Sequence, residues 1–335
     1  MTRSNKSSQS ALARRRAGSP IVLANLAAHA ERAREYAAAA RAPRTRATYA
    51  SRWRAFEEWA SAHQLSALPC APATLALYIT DLAQRGLKPP SIGSSISAIA
   101  FYHSAVGIPR ERHPHRDPQV SEIWRGVRRE HGCPPRRVAP LVIGELRRLV
   151  AELDDATLAG LRDRALLAVG FAGAFRRSEL VALDVSDVAF APEGLRVTIR
   201  RSKTDQEGHG VTIGLPHGRT PATCPVRTLR AWLDAAELTT GPLFRRVDRH
   251  QNVGRRALAG RAVARIVQRT AAAAGLDPKQ YAGHSLRAGL ATSAAQAGKT
   301  DRAIMTQGRW SGRAMVDRYV RDSRLFGAHN AADGL

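Results

Sequence analysis

A phenol, two guanidinium groups and an imidazole recur in the C-terminal half of this chain at spacings that could do chemistry. Tyr319 sits in the run Trp310-Ser311-Gly312-Arg313-Ala314-Met315-Val316-Asp317-Arg318-Tyr319. Upstream lie His284-Ser285-Leu286-Arg287 and, further back, Arg176-Arg177-Ser178-Glu179-Leu180. Tyrosine is a nucleophile. Arginine forks match the paired non-bridging oxygens of a phosphate and keep their charge at any working pH. A phosphodiester in transfer gathers negative charge on those oxygens. The set therefore suits transfer of a phosphodiester onto a tyrosine, and it contains no metal cage.

Charge points to the same partner. The 335 residues carry a formal net charge of +24, and 44% of them are hydrophobic. The chain is globular, long enough for two domains with proper cores, and built to meet a polyanion, nucleic acid first among them. Five of the 52 basic residues are lysine. An Arg/Ala-rich composition can reflect genome bias. That bias explains arginine over lysine but not the excess of base over acid.

Cys70, Cys133 and Cys224 are far apart and form no CxxC, so neither disulfides nor a zinc site is expected, and a reducing cytoplasm fits. His113, His115, His131 and Cys133 lie in a Pro- and Arg-rich stretch read as loop, with no metal assigned. Arg14-Arg15-Arg16, Pro20 to Leu26 and Ala28-His29-Ala30 imitate a signal peptide. The apolar run is short, includes Asn25, and continues as a charged helical pattern. No segment is long enough to span a membrane.

The elements that must position these residues are mostly helical. Residues 1–42 read as an N-terminal arm, partly disordered, with an Ala-rich helix around 22–41. Residues 43–131 read as a compact helical domain. In it Tyr49, Trp53, Phe56 and Ala60 recur at helical spacing as a core stripe. Further helices run from Ala73 to Gln84, from Ser91 to Ser104 with Ile92, Ile96 and Ile99 inward, and onward from Asp117 as a cap. Residues 132–140, with Pro134-Pro135-Arg136-Arg137, read as a linker. Residues 141–325 form the larger domain, followed by a tail at 326–335. Helices are expected there at 142–153, 157–172, 177–183, 225–237, 257–275, 284–297, 300–307 and 312–321. Between 187 and 215 the apolar period changes to two. Val197 and Ile199 are answered by Val211 and Ile213 across a polar tip at 202–210, a β-hairpin that carries Lys203.

With these motifs in place, the chain resembles the tyrosine recombinases, the phage-type integrase family. The family's Arg-x-[Ser/Gly]-Glu-[Leu/Ile] motif appears as Arg176 to Leu180, its hairpin lysine as Lys203, its His-x-x-Arg box as His284 to Arg287. Its His/Trp position falls on Trp310, and its nucleophile on Tyr319 nine residues later. Counting back from Ser178-Glu179-Leu180 selects Arg176 over Arg177. The resemblance covers about residues 43–325, including a helical core-binding (SAM-like) domain at 43–131.

It implies a mainly α fold with a small antiparallel sheet, arranged as a two-domain C-shaped clamp on duplex DNA. It also implies a 3′-phosphotyrosyl intermediate at Tyr319, formed without ATP, metal or other cofactor. In this reading Arg176 and Arg287 clamp the phosphate, Glu179 buttresses the arginine, and Trp310 donates its indole N–H. Lys203 acts as general acid at the 5′-oxygen, since lysine can release a proton where arginine cannot. His284 handles the tyrosine's proton or bonds the phosphate. The DNA grip is assigned to Arg44, Arg46 and Arg52 on the first helix of the domain, Ser91, Ser94 and Ser95 at the start of the third, and Arg200 and Arg201 beside the hairpin lysine. The implied partners are double-stranded DNA with paired recombination sites and three further copies of the chain in a tetramer, in a cytoplasmic, nucleoid-associated setting. A type IB topoisomerase-like enzyme and a non-catalytic DNA-binding relative are the two other classes.

Overall fold

The computed structural model describes residues 20–132, 134, 138–200 and 210–320. It divides at residues 135/136 into two compact units, each with its own core.

The N-terminal unit holds α1 (Pro20–Ala39), α2 (Pro43–Ala62), α3 (Pro72–Gln84), α4 (Pro89–Ala105) and α5 (Pro118–Glu130). Proline opens each of them. Its fixed φ suits the first turn, where its missing N–H leaves no bond unmade. Asp117 caps α5, its carboxylate accepting from the Gln119 and Val120 amides at 2.9 and 3.4 Å. Trp53, Phe56 and Ala60 of α2 meet Leu75 and Ile79 of α3 and Ile92 and Ile99 of α4 in the core. Ile96 is only partly buried.

The C-terminal unit begins with α6 (Ile143–Ala151), α7 (Leu158–Ala172) and α8 (Arg177–Val181). A three-stranded antiparallel sheet follows in the order β1 (Val188–Ala191), β2 (Gly194–Ile199), β3 (Val211–Pro216). Val197 pairs with Val188 on one side and Ile213 on the other, and Leu195, Val197 and Ile199 turn into the core. Val211 departs from the alternation expected of it: it pairs with Ile199 at the hairpin's far end and is 44% exposed. Next come α9 (Pro225–Ala235), β4 (Arg245–Val247) paired antiparallel with β5 (Val253–Ala257), and α10 (Gly260–Ala273). The helix expected from 257 therefore starts at 260, because Ala257 closes a strand. α11 (Ser285–Gln296), α12 (Asp301–Gly308) and α13 (Arg313–Val320) complete the described chain. The protein is thus mainly α-helical with small antiparallel sheets, in two domains. No helix among the described residues is long and apolar enough to cross a membrane.

Candidate active site

Four short pieces of backbone bring the site together. The first is the start of α8. Arg176 is its N-cap and Glu179 its third residue. The Glu179 carboxylate accepts the Arg176 amide at 2.9 Å and the Arg176 guanidinium at 2.6 Å. An otherwise unpaired helix N-terminal amide and a side-chain charge are satisfied by one buried anion. Arg177 goes elsewhere: its methylenes lie along the bare Cα atoms of Gly260 and Gly283, where added Cβ atoms would stand 3.5 and 3.1 Å from them. The two adjacent arginines thus have different surroundings.

The second piece is α11, with His284 as N-cap and Arg287 one turn on. Its close packing rests on Gly289, where a Cβ would sit 1.8 Å from the Leu141 carbonyl oxygen. Arg287 is 1% exposed and donates to the carbonyls of Ala174 and Gly308. Its guanidinium lies 4.3 Å from the centre of the Trp310 ring. The third piece is the end of α12. Arg309 adopts a left-handed conformation with φ of 55°, which breaks the helix and lets Trp310 fold back over Gly308. The fourth is α13, whose buried Val316 places Tyr319, three residues later, on the inward face. Thr292 fixes this helix by donating its hydroxyl to the Tyr319 carbonyl at 3.0 Å.

The result is a His284 Nε2 to Tyr319 Oη distance of 2.7 Å, with the Trp310 and Tyr319 rings 5.5 Å apart. Burial lowers the His284 pKa below 6.5, and the charges of Arg287 and Arg176 add to the effect. The ring is therefore neutral near pH 7. In the tautomer with its proton on Nδ1, its Nε2 accepts the phenolic hydrogen. Burial foremost, then Arg176 and Arg309, bring the Arg287 pKa down to about 10, which leaves it protonated at neutral pH.

Arg309 had no signal in a chain so rich in arginine, yet it is built into this site. Its guanidinium shares Glu179 with Arg176, at 3.0 Å, and donates to the carbonyls of Gly173, Ala174 and Gln307 at 2.9, 3.1 and 3.0 Å. It ties the turn before Arg176 to the turn before Trp310. Arg309→Ala should cost on the order of 3 kcal/mol in denaturant unfolding of this domain, as for other broken buried ion pairs. A loss under about 1 kcal/mol would show that Arg309 is a bystander.

Arg176, Glu179, His284, Arg287, Trp310 and Tyr319 are therefore gathered in one place. Lys203 and Arg201 lie outside the described residues. Arg200 is not a free cation beside the lysine: its Nε meets Asp187 at 2.6 Å and its Nη2 meets Asp184 at 2.8 Å, so it anchors the hairpin base to the turn before β1. Arg44 and Arg46 are exposed on α2, and Arg52 is half-buried. Ser91 and Ser94 are also half-buried, but Ser95 is 1% exposed. It shares the inward face of α4 with Ile92 and Ile99, so its hydroxyl is withdrawn from any duplex, contrary to expectation.

His284 also has a consequence for stability. His103 and His115 likewise have pKa values lowered by burial. A histidine depressed in the folded state binds fewer protons there than when unfolded, so stability rises with pH. The contribution is intact above 6.5 and is lost as pH falls through the folded values. The unfolding temperature should be lower at pH 5.5 than at 7.5. Equal temperatures would contradict the buried, neutral assignment.

Comparison with known proteins agrees with this architecture. The family model described as the phage integrase family matches residues 142–324. An integrase/recombinase XerD homolog of Selenomonas ruminantium is 39% identical over 286 residues, 85% of this chain and 84% of that protein. The recombinase Cre of Escherichia phage P1 is 25% identical over 289 residues, 80% of this chain and 81% of that one. Among solved structures, a lambda integrase dimer bound to a COC′ core site superposes with a TM-score of 0.55 at 17% identity, covering 84% of this chain and 89% of that one. The chain belongs to the phage integrase family, the tyrosine-type site-specific recombinases.

Proposed function

We propose that this chain cleaves and rejoins DNA at specific sites through a 3′-phosphotyrosine at Tyr319. The observation that carries the reading is the 2.7 Å contact between Tyr319 and a neutral His284, beside arginines organised by one buried carboxylate. The Tyr319 oxygen attacks phosphorus and its proton passes to His284 Nε2. The bond from phosphorus to the 5′-oxygen breaks, and Lys203 supplies the proton that makes it a free hydroxyl. Arg176 and Arg287 hold the non-bridging oxygens. Arg287 is covered in the free chain, so the Trp310–Tyr319 layer shifts as the phosphate enters. The energy of the broken phosphodiester is kept in the new one, so rejoining by a 5′-hydroxyl needs no ATP, and the arginines supply the charge stabilisation that a metal could otherwise provide.

The partner is duplex DNA, consistent with the net charge of +24 and with the DNA-bound lambda integrase that shares the fold. Four copies assemble on two paired sites and exchange strands in sequence, in the cytoplasm at the nucleoid. A nicked suicide substrate, which loses a short fragment after cleavage, tests the class. Accumulated adduct together with recombinant product supports the proposal. Adduct with relaxation alone would make it a topoisomerase, and absence of adduct would leave a DNA-binding protein.

Affinity should depend steeply on salt. If six or more phosphates are neutralised, binding weakens on the order of 10³-fold between about 50 and 200 mM salt, through counterion release. A nearly flat dependence would contradict extensive phosphate contact.

A further inference from the structure

The N-terminal domain has a cavity of about 310 Å³ that the chemistry at Tyr319 does not use. It opens between α2, α4 and the segment Arg110–Arg116. Arg41, Arg110 and Arg116 reach it, together with His113, His115 and the hydroxyl-bearing Tyr49, and no acidic residue lines it. All three arginines are exposed, and none has a carboxylate partner among the described residues. Arg41 is nonetheless held in place, its guanidinium 4.8 Å from the centre of the Phe101 ring and 5.7 Å from that of Tyr49. Arginines grouped without counter-charge repel one another, and such a grouping is stabilised when an anion sits among them.

The second observation is independent of charge. His115 Nδ1 is buried and has no hydrogen-bond partner. A buried polar atom left unmet costs free energy, and each such atom in a folded protein calls for an explanation. Its neighbours do not share the defect. His103 is bonded through both ring nitrogens, to the Cys70 amide at 3.0 Å and the Ile99 carbonyl at 2.8 Å, and His113 donates to the Ile108 carbonyl at 3.1 Å. A metal does not explain it: no three His, Cys, Asp or Glu residues stand together as ligands among the described residues. His115 and Ile96 also line a second cavity, of about 370 Å³, which adds Arg125 and Arg128, again with no acid in its wall.

We infer that the His115 cavity is a phosphate-binding site, with the His115 Nδ1–H donating to a phosphate oxygen and Arg41, Arg110 and Arg116 surrounding its charge. Burial, then His113 and Arg116, keep the imidazole below its usual pKa, so it meets the anion as a neutral donor. The phosphate comes from one of two sources, the backbone of a duplex or a free phosphate or phosphomonoester. The continuation of the basic wall past His115 fits a backbone, which offers successive phosphates.

The test is histidine ring NMR on the full chain, with the His115 signal assigned by its loss in His115→Gln. Inorganic phosphate is titrated in one arm and a short duplex of arbitrary sequence in the other, each against sodium chloride of equal ionic strength. The inference expects a saturable shift of the His115 ring in at least one arm. A response to duplex alone identifies the backbone as the source, and a response to inorganic phosphate identifies the free anion. In Arg110→Ala/Arg116→Ala, both substitutions being at exposed positions, the midpoint should rise at least about tenfold, since two charged donors are lost. A response no larger than that to chloride in both arms would overturn the inference. So would an unchanged midpoint in the double variant. The shift should persist in Tyr319→Phe, so failure of this site and failure of the strand-transfer chemistry are read separately.

Discussion

Tyr319→Phe should bind DNA as the unaltered protein does and form no covalent adduct. The substitution removes one oxygen. The ring keeps its packing against Trp310 and the cluster around Val316, and the Thr292 hydroxyl still bonds the main-chain carbonyl. What is lost is the phenol's bond to His284 and the only atom assigned to attack phosphorus. One hydrogen bond is worth about 1 kcal/mol, too little to unfold the domain. The effect therefore falls on chemistry alone: retention in a gel-shift assay, and no protein–DNA band after denaturation. An adduct formed by Tyr319→Phe would remove Tyr319 from the mechanism.

Lys203→Ala is the second large effect, and it separates two roles that both require a cation. If Lys203 protonates the departing 5′-oxygen, its loss should slow cleavage by roughly 10²–10⁴-fold, the usual span for general acid catalysis. A bridging 5′-phosphorothioate leaves as a thiolate and needs little protonation, so that substrate should recover most of the rate. Arg176→Ala should recover none of it, because Arg176 is assigned to charge on the non-bridging oxygens. Equal rescue of both variants, or of neither, would make Lys203 a phosphate contact and leave His284 as the next candidate for the proton.

How much of this was legible beforehand varies with the physics of each feature. The helices were announced by local signals: apolar residues at a period of 3.6 and, for α5, Asp117 as a cap. β2 and half of β3 showed a period of two because one face is buried. β1, β4 and β5 carried no such mark. β1 has neither of its central residues inside, and β4 and β5 are short, arginine-bearing and largely exposed, so pairing alone defines them. The residues assigned to the site stand out because their spacing is part of a family motif.

Burial was not legible in the same way. Ser95 was read by its hydroxyl, whereas its place three residues after Ile92 put it on the core side of α4. Arg200 was read by its charge, whereas Asp184 and Asp187, 16 and 13 residues earlier, already engage it. Arg309 was hidden among arginines, and its role depends on a left-handed backbone turn and on Glu179, 130 residues away. The two arginines have partners distant in sequence, which no local pattern reports, whereas Ser95 falls on the apolar stripe of its own helix.

The central claim is that strand cleavage joins Tyr319 to the 3′ side of the broken DNA. The most direct measurement is to trap the adduct on a nicked suicide substrate, digest it with protease, and sequence the DNA-linked peptide by mass spectrometry while end-labelling the released strand. The account predicts a single modified peptide spanning Tyr319, bound through a 3′-phosphate, and a released 5′-hydroxyl that accepts label from a kinase without prior dephosphorylation. A linkage through another residue, or a 5′-phosphate on the protein side of the break, would contradict it.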